Sequence, residues 1–311
     1  MKKKEWIRGA SVVLIVTAMV FTAELLHERE IIFPEIMALA VGALVAPKRA
    51  WQTSRTLMVI LIAVCSAGGV LITRYVPAPL WLQILLAFAL CQVLYLFSRT
   101  TFAPMISAMV LPVLLGTTSW VYPLAAVGMT VVIVCLQFLF ERCGICEKEP
   151  FSPISLPNKR DCLDMLLRIL LAGIVIFSAV STGWSLCAAP PLLVAFTEFS
   201  RRSCKARQSP VKTILLVGLC GAAGTLCRWG LTILLELPLA IAAAAATAAS
   251  LLLMKGMRQY LPPAGAMAIL PMLLPQESAP LFPVQALIGI SALMGMALLF
   301  FRNRKNSQVR I

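Results

Sequence analysis

The sequence is poor in the side chains that do chemistry. It has one histidine, and 13 acidic residues against 27 lysines and arginines. No histidine, no pair of aspartates and no glycine-rich phosphate loop falls within an apolar stretch. A nucleophile with its base, or a metal cluster, needs such groups gathered together, so an enzyme is not expected. The histidine, His27, sits among Glu24, Glu28 and Glu30, which suits a solvated loop. One C-x-x-C occurs, Cys143 to Cys146, with no second pair spaced to complete a four-ligand zinc site. Neither a metal nor a cofactor is expected. Cys65, Cys91, Cys135, Cys220 and Cys227 lie in apolar runs, where a thiol acts as a small hydrophobe. Cys143, Cys146, Cys162 and Cys204 lie in basic loops assigned to a reducing compartment, so no disulfide is expected.

Charge of either sign is scarce. Only 13% of residues are charged, while 60% are hydrophobic. That excess cannot be hidden inside one globule of 311 residues, because a folded surface needs polar cover. The charge-free stretches 56–73, 75–98, 100–140, 169–197, 237–254, 259–276 and 278–301 say where it goes. An apolar run of about 20 residues spans a bilayer as a helix. Helices or closed barrels are the spanning structures that satisfy their own backbone, and no period-2 alternation is present, so helices are chosen.

The net charge of +14 raises the question of nucleic acid. The basic residues instead sit in short loops between apolar runs, the positive-inside pattern, and a nucleic-acid partner is not expected. Lys48, Arg49, Arg55, Arg99, Arg142, Lys205, Lys255 and their neighbours fall on one side, and only Arg29, Arg74 and Arg228 on the other. This division requires six crossings per half, near 6–26, 31–47, 56–74, 79–98, 101–117 and 121–141, then 165–183, 185–199, 211–231, 235–254, 259–275 and 282–301. The chain then divides into a first transmembrane repeat (1–141), a cytoplasmic linker (142–163), a second repeat (164–302) and a tail (303–311). Both termini are expected in the cytoplasm of a cell-membrane, multi-pass protein. Lys2 to Lys4 ahead of Gly9–Ala23 has the form of a secretory signal, but no small-residue cleavage site follows. The run has a counterpart near 165–183 and is expected to stay as a membrane helix.

The halves repeat internally. Phe102 to Pro112 aligns with Leu261 to Pro271, with both prolines of each stretch in register. Upstream, Cys65 to Gly69 aligns with Cys220 to Gly224. Six crossings per half make the repeats parallel, with a pseudo-twofold axis along the membrane normal. The second and fifth segments of each half are short or broken. Interrupted segments at matching places point to a transporter's binding site. Helices starting at Pro104 and Pro263 aim free amides and a positive dipole end inward, which favours an anion.

The substrate-binding candidates are therefore Pro104, Met105 and Ser107 in the first half, and Pro262, Pro263, Ala264, Gly265 and Ala266 in the second. Thr197 and Glu198 join them, since ionisable groups at membrane depth are costly, although Glu198 has Arg201 and Arg202 at hand for pairing. Glu35, next to Pro34, is a further acid placed near the outer face. Arg74 and Arg228, near the outer ends of the third segments, are candidates for drawing anions in. The bland readings are packed kinks for the prolines and snorkelling for the arginines.

Leu261-Pro262-Pro263-Ala264-Gly265-Ala266, together with Gln208-Ser209-Pro210, Gly218, Gly221 and Gly224, resembles the HPP family of membrane proteins. The resemblance covers about 184–275, and through the repeat about 31–117. The family is usually a single module, so the chain resembles a fused tandem. Some relatives are implicated in nitrite transport, which implies a small-anion permease. The family's signature histidine is replaced by Leu261, and by Phe102 in the other half. The expectation is an all-α transporter or channel for a small, anionic solute held between the two repeats. Its partners are that solute and the lipid bilayer, with a homo-oligomer left open. The alternative is a non-transporting membrane scaffold or sensor subunit.

Overall fold

The computed structural model describes residues 2–201 and 204–301. Arg202 and the tail 303–311 lie outside the described residues. Within them all regular structure is helical. Eight helices are long and apolar enough to cross a bilayer. They are α1 (Lys2–Leu25), α3 (Arg55–Tyr75), α4 (Leu80–Phe97), α6 (Val121–Arg142), α7 (Lys159–Ser181), α9 (Pro210–Cys227), α10 (Leu239–Gly256) and α12 (Phe282–Phe300). Their 18 to 24 residues give lengths of about 27–36 Å against a hydrocarbon core of about 30 Å. The chain is a multi-pass membrane protein. Leu14, Phe21, Leu124, Leu170, Leu252 and Leu299 are exposed on these helices, an apolar surface suited to lipid.

Four shorter helices complete the fold: α2 (Glu35–Ala40), α5 (Pro104–Leu115), α8 (Pro190–Phe199) and α11 (Pro262–Ile269). A π-helical turn, Val41–Val45, extends α2, and a 3-10 turn, Leu270–Met272, extends α11. With those turns each is about 15–18 Å long, half a bilayer. These are the expected second and fifth segments. Every residue of α2, α8 and α11 is buried, as are Pro104–Val113 of α5. They form the centre, with the long helices around them. Across the halves, α2 packs on α11 and α5 on α8, while α1 packs on α10 and α7 on α4.

The sequence explains where the short helices begin and end. Proline stands at or just before the first turn of all four, a place where its missing N–H leaves no bond unmade. Gly116 closes α5 in the left-handed conformation, φ 70°. The chain reaches α2 and α5 as non-helical backbone, with Ile32, Phe33 and 100–103 buried. Such backbone survives at membrane depth only when protein satisfies it. Here Gln52 and Thr101 exchange bonds: the Gln52 amide donates to Thr101 Oγ1 at 2.8 Å, and the Thr101 amide to the Gln52 carbonyl at 3.1 Å.

Helix ends also tie the halves together. Glu24, at the end of α1, accepts from the amides of Leu239 and Ala240 at 2.5 and 2.9 Å, so it caps α10 of the other half. A carboxylate there meets both free amides and the positive dipole end. Glu24→Ala is expected to lower stability by about 1–2 kcal/mol, read as a drop in melting temperature of the purified protein, with Glu24→Gln intermediate.

The linker differs in extent from expectation. Asn158 and Asp161 form a capping box that starts α7 at Lys159, several residues before the expected 164. The remaining loop folds back on the first half: Lys4 Nζ donates to the Gly144 carbonyl at 2.7 Å and Arg8 donates to that of Ile145. All ten cysteines are free thiols.

Candidate functional site

Two polar clusters lie among the four short helices. In the first, Ser107 in the opening turn of α5 donates to Glu35 in the opening turn of α2. Glu35 is 1% exposed, and its Oε2 has no partner among the described residues. The starts of α2 and α5 therefore meet inside the bundle, and the two helices run from there toward opposite faces. Sequence position alone put Glu35 near the outer face. In the structure it is buried against Ser107 at the start of α2. Tyr122, stacked edge-on against Phe33, closes this cluster by donating to the Ala108 carbonyl at 3.0 Å.

The second cluster belongs to α8. Glu198 accepts from Trp51 Nε1 at 2.7 Å, and Thr197 accepts from Gln92 Nε2 at 2.8 Å. Both bonds join one half of the chain to the other. Trp51 also stacks edge-on against Phe102 at 5.5 Å, just ahead of α5. A Cβ at Gly42 would fall 2.3 Å from the Trp51 ring, so glycine there is what lets the indole in. Glu198 thus takes a tryptophan N–H, while Arg202, one of the two arginines its position suggested, lies outside the described residues. Gln92 Oε1 is buried without a partner among the described residues.

The remaining candidates divide by location. Pro104, Met105, Ser107, Pro262, Pro263, Ala264, Gly265 and Ala266 are all buried at the centre. A Cβ at Gly265 would lie 2.9 Å from Met37 Cγ, which places the α11 start against α2. Arg74 and Arg228 are not there. Arg74 is exposed, over the Tyr75 ring at 5.7 Å. Arg228 turns inward and donates to the carbonyls of Pro271 and Leu274, just beyond α11. Trp51 and Tyr122 were not signalled by the sequence. Trp51 stands in a basic loop, where a tryptophan ordinarily marks the headgroup level.

Chemically the centre offers two buried carboxyls, two amide and hydroxyl partners and helix starts, all in an apolar surround. Buried polar atoms without partners are rare, and acids at membrane depth default to function. At the basic end there is a cavity of about 320 Å3, bordered by Arg8, Arg49, Gln137, Glu141 and the linker. Arg49 and Arg55 both pair with Glu141 at its edge.

Residues 205–309 match the family model described as HPP, transmembrane region. That stretch holds α9 to α12, including the Pro262-Pro263 start of α11. No curated protein matches the chain, and no solved structure does. The match over residues 205–309, which hold α9 to α12, supports membership in the HPP family of integral membrane proteins.

Proposed function

We propose that this protein is a transporter or channel for a small, anionic solute, with no enzymatic step. The observation that carries the reading is the centre itself: four half-length, proline-started helices, buried except for the last two residues of α5, bearing Glu35, Ser107, Thr197 and Glu198. A passive spanning bundle gains nothing from broken helices and acids at membrane depth. The start of α5 at Pro104 presents the positive end of a helix dipole to the interior, and so does that of α11 at Pro262 and Pro263. These residues, with Met105, Ala264, Gly265 and Ala266, are the proposed contacts for the solute. Arg74 and Arg228 would raise its local concentration at the outer mouth.

In this proposal the halves are tandem copies about an axis along the membrane normal. In support, α3 packs on α5 where Gly69 meets the Met109 carbonyl, and α9 packs on α11 where Gly224 meets the Ala268 carbonyl. The sequence aligns Gly69 with Gly224 and Met109 with Ala268. The basic loops gather at one end of the bundle, which supports cytoplasmic termini in a cell membrane.

The test is flux of nitrite, nitrate and chloride into liposomes holding the purified chain. Uptake above empty liposomes is expected, falling about tenfold or more in Pro263→Leu, since a misplaced helix start loses its aligned contacts. No uptake of any of these anions overturns the anion reading. A second reading, a non-transporting scaffold or sensor, draws on the close fit of α11 against α2 at Gly265 and Met37. It predicts folded protein, no flux, and an intact cellular phenotype in Pro263→Leu.

A further inference from the structure

The face opposite the basic loops is nearly free of positive charge. Only Arg29, Arg74 and Arg228 lie there, and two of those three border one cavity of about 360 Å3. Its lining also includes Thr232 and Gln276, between the apolar walls of Leu239 and Met272. Neither arginine has an ion pair among the described residues. Glu24, at the end of α1, is held by the amides of Leu239 and Ala240, and Glu28 and Glu30 flank Arg29 in the chain. Arg228 uses Nη1 on the Pro271 and Leu274 carbonyls, which fixes the guanidinium while its other nitrogens stay uncommitted. The Arg29 side chain is exposed and makes no hydrogen bond among the described residues. Two like charges turned on one cavity repel each other and favour an anion between them.

The backbone builds this cavity. After Cys227, α9 continues as a seven-residue π-helix, Arg228–Leu234. The i to i+5 bonding of a π-turn, a feature common at functional sites, brings residues four and five apart onto one face. Arg228, Thr232 and Ile233 line the cavity in that spacing. Thr232 Oγ1 is buried without a partner among the described residues, leaving a hydroxyl for whatever the cavity holds.

A second space continues from the first. An apolar groove of about 390 Å3 shares Arg228, Ile233 and Gln276 with the cavity. It runs along Ala222, Leu226 and Trp229 to Ala279 and Pro283 at the start of α12. Leu226 and Trp229 are 64% and 50% exposed, so the groove opens toward lipid. Tryptophan at this level belongs to the headgroup region. A free oxoanion would have no use for such a groove, whereas a molecule with a phosphate head and a hydrocarbon tail fits both spaces.

We infer that this face carries a phospholipid site, with the lipid phosphate between Arg29 and Arg228 and one acyl chain in the groove along α9 and α12. Guanidinium forks match phosphate oxygens in pairs, and basic pockets between membrane helices suit lipid headgroups. The site is independent of whether the centre transports anything.

The experiment measures phospholipid retained by the full chain after purification in mild detergent, by mass spectrometry. Rebinding of phosphatidylglycerol to delipidated protein is then followed by melting temperature. About one tightly held phospholipid per chain is expected, with inorganic phosphate giving no comparable stabilisation. Arg29→Gln removes an exposed side chain that supports nothing else, and should weaken retention about tenfold, the worth of one charge-assisted bond. Ala222→Phe fills the groove, leaves both arginines in place, and should weaken retention similarly. Unchanged retention in both variants overturns the site. Stabilisation by inorganic phosphate that Arg29→Gln abolishes and Ala222→Phe leaves intact also overturns it, in favour of a free oxoanion.

Discussion

Gly224→Ala is expected to destroy most of the folded protein, although it adds a single methyl group. In an ordinary helix interior the same change stabilises, by about 0.5–1 kcal/mol. Here the new Cβ would lie 2.0 Å from the Ala268 carbonyl oxygen and 2.8 Å from its carbon. Both belong to backbone, so no side chain can swing aside. The two helices must separate by more than an ångström, and every contact along α9 and α11 loosens with them. Overpacking of this kind costs about 1–3 kcal/mol in soluble cores, and a shift of a whole helix belongs at the upper end. Gly69→Ala is expected to behave alike, with its Cβ 2.2 Å from the Met109 oxygen and 2.6 Å from Pro112 Cγ. Gly128→Ala is the comparison, because nothing lies within 4 Å of a Cβ there. Size-exclusion profiles and melting temperatures of the three variants decide the matter. A Gly224→Ala protein that melts with the wild type would mean that α9 does not approach α11 this closely.

The same two glycines show how far the sequence could be read. Cys65 to Gly69 and Cys220 to Gly224 aligned from one-dimensional spacing, because close helix approach constrains residue size at a fixed interval. The half-length helices were legible for a related reason: proline without an N–H marks a helix start in any environment. What was not legible depends on contacts far apart in the chain. Trp51 reaches Glu198 across 147 positions, and Gln92 reaches Thr197 across 105. Nothing local in the Trp51 loop distinguishes an inserted indole from an interfacial one. Its only trace is Gly42, whose missing side chain makes the room. Spacing gave no sign that Arg228 would bond to the Pro271 and Leu274 carbonyls. The turn inward comes from the π-helix after Cys227, and the apolar spacing there runs on as for an α-helix.

Glu35 and Glu198 also divide the labour of the two halves unequally. The Glu35–Ser107 bond lies wholly in the first half, between α2 and α5. By the alignment that pairs Phe102 with Leu261, the position matching Ser107 is Ala266, which has no hydroxyl to give. Glu198 lies in the second half and borrows its donor, Trp51, from the first. In the proposed tandem the two halves would each hold one acid with a different partner, a property that two identical modules cannot have.

Replacing Glu198 separates what its carboxylate does from what its shape does. Glu198→Gln keeps an oxygen for Trp51 Nε1 and nearly the same volume, so the fold should survive with little change in melting temperature. Glu198→Ala leaves the Trp51 N–H without its acceptor at a buried site, a loss of about 1–3 kcal/mol, and should melt lower. If the acid takes part in transport, the two variants agree in flux while differing in stability. Anion uptake into liposomes should fall about tenfold or more in Glu198→Gln, the scale set by losing an interaction to a charged group. Trp51→Phe completes the comparison: it keeps the ring against Phe102, removes the donor, and leaves the acid in place. A bond that only braces α8 would make Trp51→Phe and Glu198→Ala equally harmful and Glu198→Gln harmless. Wild-type flux in Glu198→Gln would remove this acid from the transport reading, and the Glu35–Ser107 pair would then be the acidic group left at the centre.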